Sequence, residues 1–79
     1  MNYRERIVRS PVVVGGEPVF KGTRVTLRTV LASLAEGATT AEILADFPTL
    51  SEEDVRAAIA FAAYSAQEDL PVAELPIQR

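Results

Sequence analysis

Residues 15–34 read GGEPVFKGTRVTLRTVLASL, and inside this stretch the chain changes period. Val19-Phe20 is β-prone and sits between two turn signals, Gly15-Gly16 and Lys21-Gly22. From Thr26 onward the pattern is helical: Leu27, Val30, Leu31 and Leu34 recur at i, i+3, i+4 and i+7. Thr26 stands where an N-cap belongs, and Gly37 where a left-handed C-terminal residue would close the helix.

The same glycines resemble a phosphate-binding loop, which needs glycine, four residues, then glycine-lysine-serine/threonine. Here Gly16 is followed by four residues and then Lys21-Gly22-Thr23, with lysine and glycine in reverse order. Pro18 also removes one of the amides that would cradle a phosphate. A chain of 79 residues has no room for the parallel sheet such loops sit on. A hairpin explains the residues better: Gly15 and Gly16 allow a turn with positive φ, and Gly22 allows a sharp bend from which Arg24 projects.

Working outward, residues 6–9 (Arg-Ile-Val-Arg) and 12–14 (Val-Val-Val) have strand character, interrupted by Pro11. On the C-terminal side a short helix is predicted, capped by Thr39 or Thr40, with Glu42 in its first turn. Ile43, Leu44 and Phe47 supply its apolar side before Pro48 stops it. Ser51 and Asp54 form a capping-box pattern that opens a third helix, with Val55, Ile59, Ala62 and Ala66 expected as its buried stripe. The link FPTLS, residues 47–51, has the length found in a helix-turn-helix. Pro71 and Pro76 keep the remaining tail extended. The predicted class is α+β: short N-terminal β-strands in a hairpin, a three-helix bundle containing a helix-turn-helix, and an extended tail. Residues 1–66 form the domain and 67–79 the tail.

Composition narrows the function. With no cysteine and no histidine, thiolate metal sites, disulfides and Ser–His or Cys–His catalysis are all excluded. No catalytic residue set, cofactor or metal is expected, and the chain does not read as an enzyme. The opening MNYRERIVRS is too charged for a signal peptide, and no apolar run approaches membrane-spanning length, which predicts a cytoplasmic protein with no membrane role. The net charge of −3 is unevenly spread. Residues 1–28 carry a balance of +4, from Arg4, Arg6, Arg9, Lys21, Arg24 and Arg28 against Glu5 and Glu17, whereas residues 29–79 carry −7. Such asymmetry suits anion contact by the N-terminal part or electrostatic pairing between chains.

The acidic run Glu52-Glu53-Asp54 lies in the first turn of the third helix, where the helix dipole and capping explain it without a metal. Phosphates would repel that helix start, which disfavours its insertion into a DNA major groove. DNA contact, if made, falls to the six basic residues of the N-terminal part. Residues 57–64, AAIAFAAY, are apolar without a break. With Ile59 and Ala62 assigned to the core, Ala57, Phe61 and Tyr64 remain to face a second subunit or another protein. In the tail, Leu70, Val72, Leu75 and Ile77 form a weak repeat on a proline-stiffened segment suited to docking.

Several of these motifs occur together in one family. Gly16-Glu17-Pro18, then Lys21-Gly22-Thr23-Arg24, Gly37, Pro48-Thr49-Leu50 and the alanine-rich Ala57–Tyr64 follow in an order that resembles the domain of unknown function 433 family. The resemblance covers about residues 7–65 of these small bacterial and archaeal proteins, often described as antitoxin-like. It implies a strand-plus-helix-turn-helix fold and a place among antitoxins whose toxin is a PIN-like ribonuclease. The expected function is therefore a non-catalytic antitoxin of a toxin–antitoxin system. It would bind its nuclease through Ala57, Phe61, Tyr64 and the tail, with self-association to a homodimer or higher oligomer and autoregulatory binding to promoter DNA. The alternative is a helix-turn-helix transcription regulator without a toxin partner.

Overall fold

The computed structural model describes residues 2–68. Two strands pair antiparallel, β1 (Ile7–Val8) and β2 (Val19–Phe20), with Ile7 opposite Phe20 and Val8 opposite Val19. Three helices follow: α1 (Leu27–Ala35), α2 (Thr40–Asp46) and α3 (Glu52–Ala66). The α+β reading of a short hairpin followed by three helices holds.

Phe20, Val30, Ile43 and Val55 are the largest side chains wholly removed from solvent, one from β2 and one from each helix. Leu27, Leu50 and Ala58 complete their cluster, with Leu31, Leu34, Leu44 and Phe47 packed around it. Burying such side chains contributes about 1.5–3 kcal/mol each. With so few of them, the helix starts must also be satisfied, and all three are. Thr26 accepts the Thr29 amide at 3.2 Å at the start of α1. At its end, Gly37 adopts φ +94°, and the Gly37 and Ala38 amides donate to Leu34 and Ser33 carbonyls, a Schellman closure that only a left-handed residue permits. Thr39 opens α2 with a full capping box: its Oγ1 accepts from Glu42 N–H at 3.1 Å, and Glu42 Oε1 accepts from Thr39 N–H at 2.9 Å.

Two expectations fail. Residues 12–14 do not form a strand: Val12 is 84% exposed, and Val14–Gly16 make a 3₁₀ turn with Val14 itself at φ +46°. The ten-residue connection between β1 and β2 must reverse the chain, and here closure overrides β propensity. The buried stripe of α3 also runs elsewhere. Asp54, Val55, Ala57 and Ala58 are buried and Phe61 is partly so, whereas Ile59 is 51% exposed and Ala62 and Ala66 are exposed. Val55 and Ala58 join the Phe20 cluster and Phe61 packs against it, and a 3₁₀ turn at Tyr3–Glu5, absent from the sequence reading, covers Phe61 through Tyr3. Ala57 is wholly buried and cannot face a partner in this fold.

The capping box of α2 has a pH signature. The bonds from Thr39, first its backbone amide, hold the Glu42 carboxyl below its usual 4.5. A depressed folded-state value stabilises the fold above the unfolded value, and that contribution is lost as pH falls through the folded value. Urea midpoints measured from pH 6 down to pH 2 should therefore fall less steeply in Glu42→Gln than in the wild type.

Candidate functional site

The polar centre of the molecule is the start of α3. Ser51 and Asp54 satisfy each other's amides: Asp54 N–H donates to Ser51 Oγ at 3.3 Å, and Ser51 N–H donates to Asp54 Oδ2 at 2.9 Å. Asp54 is buried, so its second oxygen also needs a partner, and Arg6 provides one through Nη1 at 3.2 Å. The same guanidinium reaches Glu53 Oε2 through Nη2 at 2.6 Å. The bond to Asp54, and then the charges of both acids, raise the Arg6 pKa further above its ordinary value.

Three residues before Arg6, Tyr3 holds the far end of the same helix. Its ring meets Phe61 edge-on, with centroids 5.5 Å apart and planes at 88°, and lies against Tyr64 at 5.6 Å. Arg4 stacks over the outer face of Tyr3 at 5.5 Å. The N-terminal arm is thus clasped at two points along α3, one ionic and one aromatic. The sequence reading missed this because a lone tyrosine among arginines has no periodicity; Asn2, whose Oδ1 caps the turn by accepting the Arg4 amide, is the one local signal of a 3₁₀ start.

The six basic candidates separate accordingly. Arg6 is locked to α3. Arg28 forks onto Glu17, Nε to Oε1 at 3.0 Å and Nη2 to Oε2 at 3.1 Å, a pairing that raises its pKa. Arg9, Lys21 and Arg24 are exposed and make no ion pair among the described residues. Lys21 and Arg24 flank a tight turn. Thr23 N–H and Oγ1 both donate to the Phe20 carbonyl, at 2.9 and 2.8 Å, and Thr23 Oγ1 accepts the Val25 amide at 3.0 Å. Gly22 takes φ +81°, the value a type II turn requires at its third residue.

On the outer side of α3, exposed Ile59, Ala62, Ala63 and Ala66 continue an apolar surface beyond Arg56. Of the partner-facing candidates, Tyr64 is 53% exposed and Phe61 half-covered by the arm, while Leu70, Val72, Leu75 and Ile77 lie outside the described residues.

The hairpin, the KGTR turn and the capped helix pair define a small α+β domain of a recognisable kind. The family described as "Protein of unknown function (DUF433)" matches residues 7–62, and the chain belongs to that family. An uncharacterized protein, y4eO, of Sinorhizobium fredii (strain NBRC 101917 / NGR234) is 41% identical over 59 residues, 75% of this chain and 27% of the relative. The crystal structure of a DUF433 member from Anabaena variabilis ATCC 29413 superposes with a TM-score of 0.69 at 32% identity, over 80% of this chain and 62% of that one. The chain therefore spans about a quarter of the curated relative it matches. The arm and its clasp lie before the matched stretch, except for their anchor on α3.

Each clasp point should be measurable. Tyr3→Ala should lower the urea unfolding free energy by about 1 kcal/mol from lost ring contacts. Arg6→Gln, measured in the same way, should also destabilise, because it leaves a buried Asp54 oxygen without its partner. The two losses should be non-additive, since both residues hold one short arm.

Proposed function

We propose that this protein is a binding module without catalytic machinery of its own, an antitoxin that neutralises a PIN-like ribonuclease. The observation that carries this reading is the outer face of α3, where half-exposed Ile59 stands among exposed Ala62, Ala63 and Ala66. An apolar helix face of this kind fits a groove on a partner, with Ile59 as the anchor and small neighbours allowing close approach. Glu52, exposed at the start of the same helix, suits the basic RNA-binding groove of a nuclease. The place of action that goes with such a partner is the cytoplasm; among the described residues no helix is long and apolar enough to cross a membrane. The test is RNA cleavage by a PIN-like nuclease encoded beside this chain. The wild type should suppress cleavage, and Ile59→Glu, with unchanged circular dichroism, should lose suppression by at least about tenfold in concentration. Equal suppression by the two proteins, or none by the wild type, rejects the reading.

A second role, transcription regulation at promoter DNA, is supported by Arg9, Lys21 and Arg24, whose charges no described acid matches. Each phosphate contact steepens the salt dependence of binding by about 0.9 in the log–log slope. Replacing all three residues with glutamine should therefore flatten that slope by up to about 2–3 in a promoter-DNA titration. Glu52→Gln should leave the affinity equal or higher.

A further inference from the structure

Residues 9–16 contain a conflict between local preference and the closed fold. Val12, Val13 and Val14 are β-branched and favour extended backbone. In the closed chain they form bends and a 3₁₀ turn, and Val14 occupies φ +46°, where a β-branched residue is strained. Nothing in 9–16 is buried, and its hydrogen bonds are local: Val13 N–H to Ser10 O, Gly16 N–H to Val13 O and Val12 N–H to Ser10 Oγ. The body resumes at Glu17, tied to Arg28, and Pro18, whose carbonyl accepts the Leu27 amide.

Residues 2–8, on the other side of this loop, are held by groups that a second copy carries equally well. Their contacts run to β2, through the Ile7–Phe20 and Val8–Val19 pairs, and to α3, through Tyr3 and Arg6. Arg6 of this segment pairs with Glu53 and Asp54 at the acidic start of α3, charges that a second copy presents equally, which favours docking in trans as much as in cis. Short hinge loops under strain favour such exchange, because the dimer repeats the monomer's contacts and releases the loop.

We propose that a second copy of this chain is a partner, and that residues 2–8 exchange reciprocally between the two copies. The segment 9–16 opens into an extended hinge in which Val12–Val14 take the strand conformation they favour. The exchanged arm places Tyr3 on Phe61 and Tyr64 of the other copy and Arg6 on its Glu53 and Asp54. This does not depend on the nuclease or on DNA.

The experiment is charge-swap complementation. Arg6→Glu and Glu53→Arg each break the clasp in the closed monomer and in the exchanged dimer alike, so neither variant alone should dimerise more tightly than the wild type in sedimentation. An equimolar mixture, unfolded and refolded together, should form heterodimers in which an ion pair between positions 6 and 53 returns at both clasps, and should associate at least about tenfold more tightly than either variant alone. A mixture no tighter than its components, or a wild type that stays monomeric at hundreds of micromolar (roughly the millimolar end of specific association), overturns the proposal. If either variant fails to fold, a chain carrying both Tyr3→Cys and Tyr64→Cys, otherwise free of cysteine, decides. Air oxidation should give a covalent dimer on a non-reducing gel, and an internally bridged monomer overturns the exchange. Val14→Gly, which removes the strain of the closed form, should raise the dissociation constant about tenfold or more.

Discussion

Asp54 joins the N-terminal arm to the start of α3. One of its oxygens closes the first turn of α3 through the Ser51 amide, and the other receives Arg6 from the N-terminal arm. A buried carboxylate must have both oxygens satisfied, so the arm and the helix start are coupled through one residue. Around that junction the rest is arranged: Glu53 beside it takes the second arm of the guanidinium, and Val55 and Ala58 just beyond it enter the core. Arg6 also lies next to Ile7, whose strand pairs with Phe20, so the clasp and the sheet reinforce each other.

The core is small, and the polar ends of the helices contribute a correspondingly large share of the order. Thr26 and two capping boxes close the starts of the three helices through side chains within three residues of each cap, and a backbone Schellman closure ends α1. Local chemistry of this kind keeps contact order low for most of the chain. The long-range contacts are left to β1, the arm and the few apolar side chains that meet over Phe20.

Charge is distributed in two tiers. Arg6 and Arg28 serve the fold, each facing a carboxylate, while Arg9, Lys21 and Arg24 face solvent around the hairpin. On the outer side of α3, Ile59 and neighbouring alanines are exposed. A basic turn on one side and an apolar helix face on another give one small domain two chemically different surfaces.

The sequence by itself determined the elements whose causes are local. Thr26 and Ser51 as caps, a threonine at 39 or 40 opening α2, Gly22 and Gly37 at bends, Pro48 after α2 and the Leu27–Val30–Leu31–Leu34 face all follow from residues within a turn of each other. The family was legible for the same reason, since its motifs are turn and cap signals in order. Tertiary structure decided what depends on distant neighbours. An alanine-rich helix such as α3 is apolar nearly all round, so its pattern does not choose a buried side. The packed core chose it, by taking Val55 and Ala58 into the Phe20 cluster with Phe61 against it, and the arm covers Phe61 through Tyr3 while Ile59 stays outside. Likewise nothing near Arg6 in sequence shows that its partners stand 47 and 48 residues away, and nothing in Val12–Val14 shows that closing the hairpin overrides three β-branched side chains.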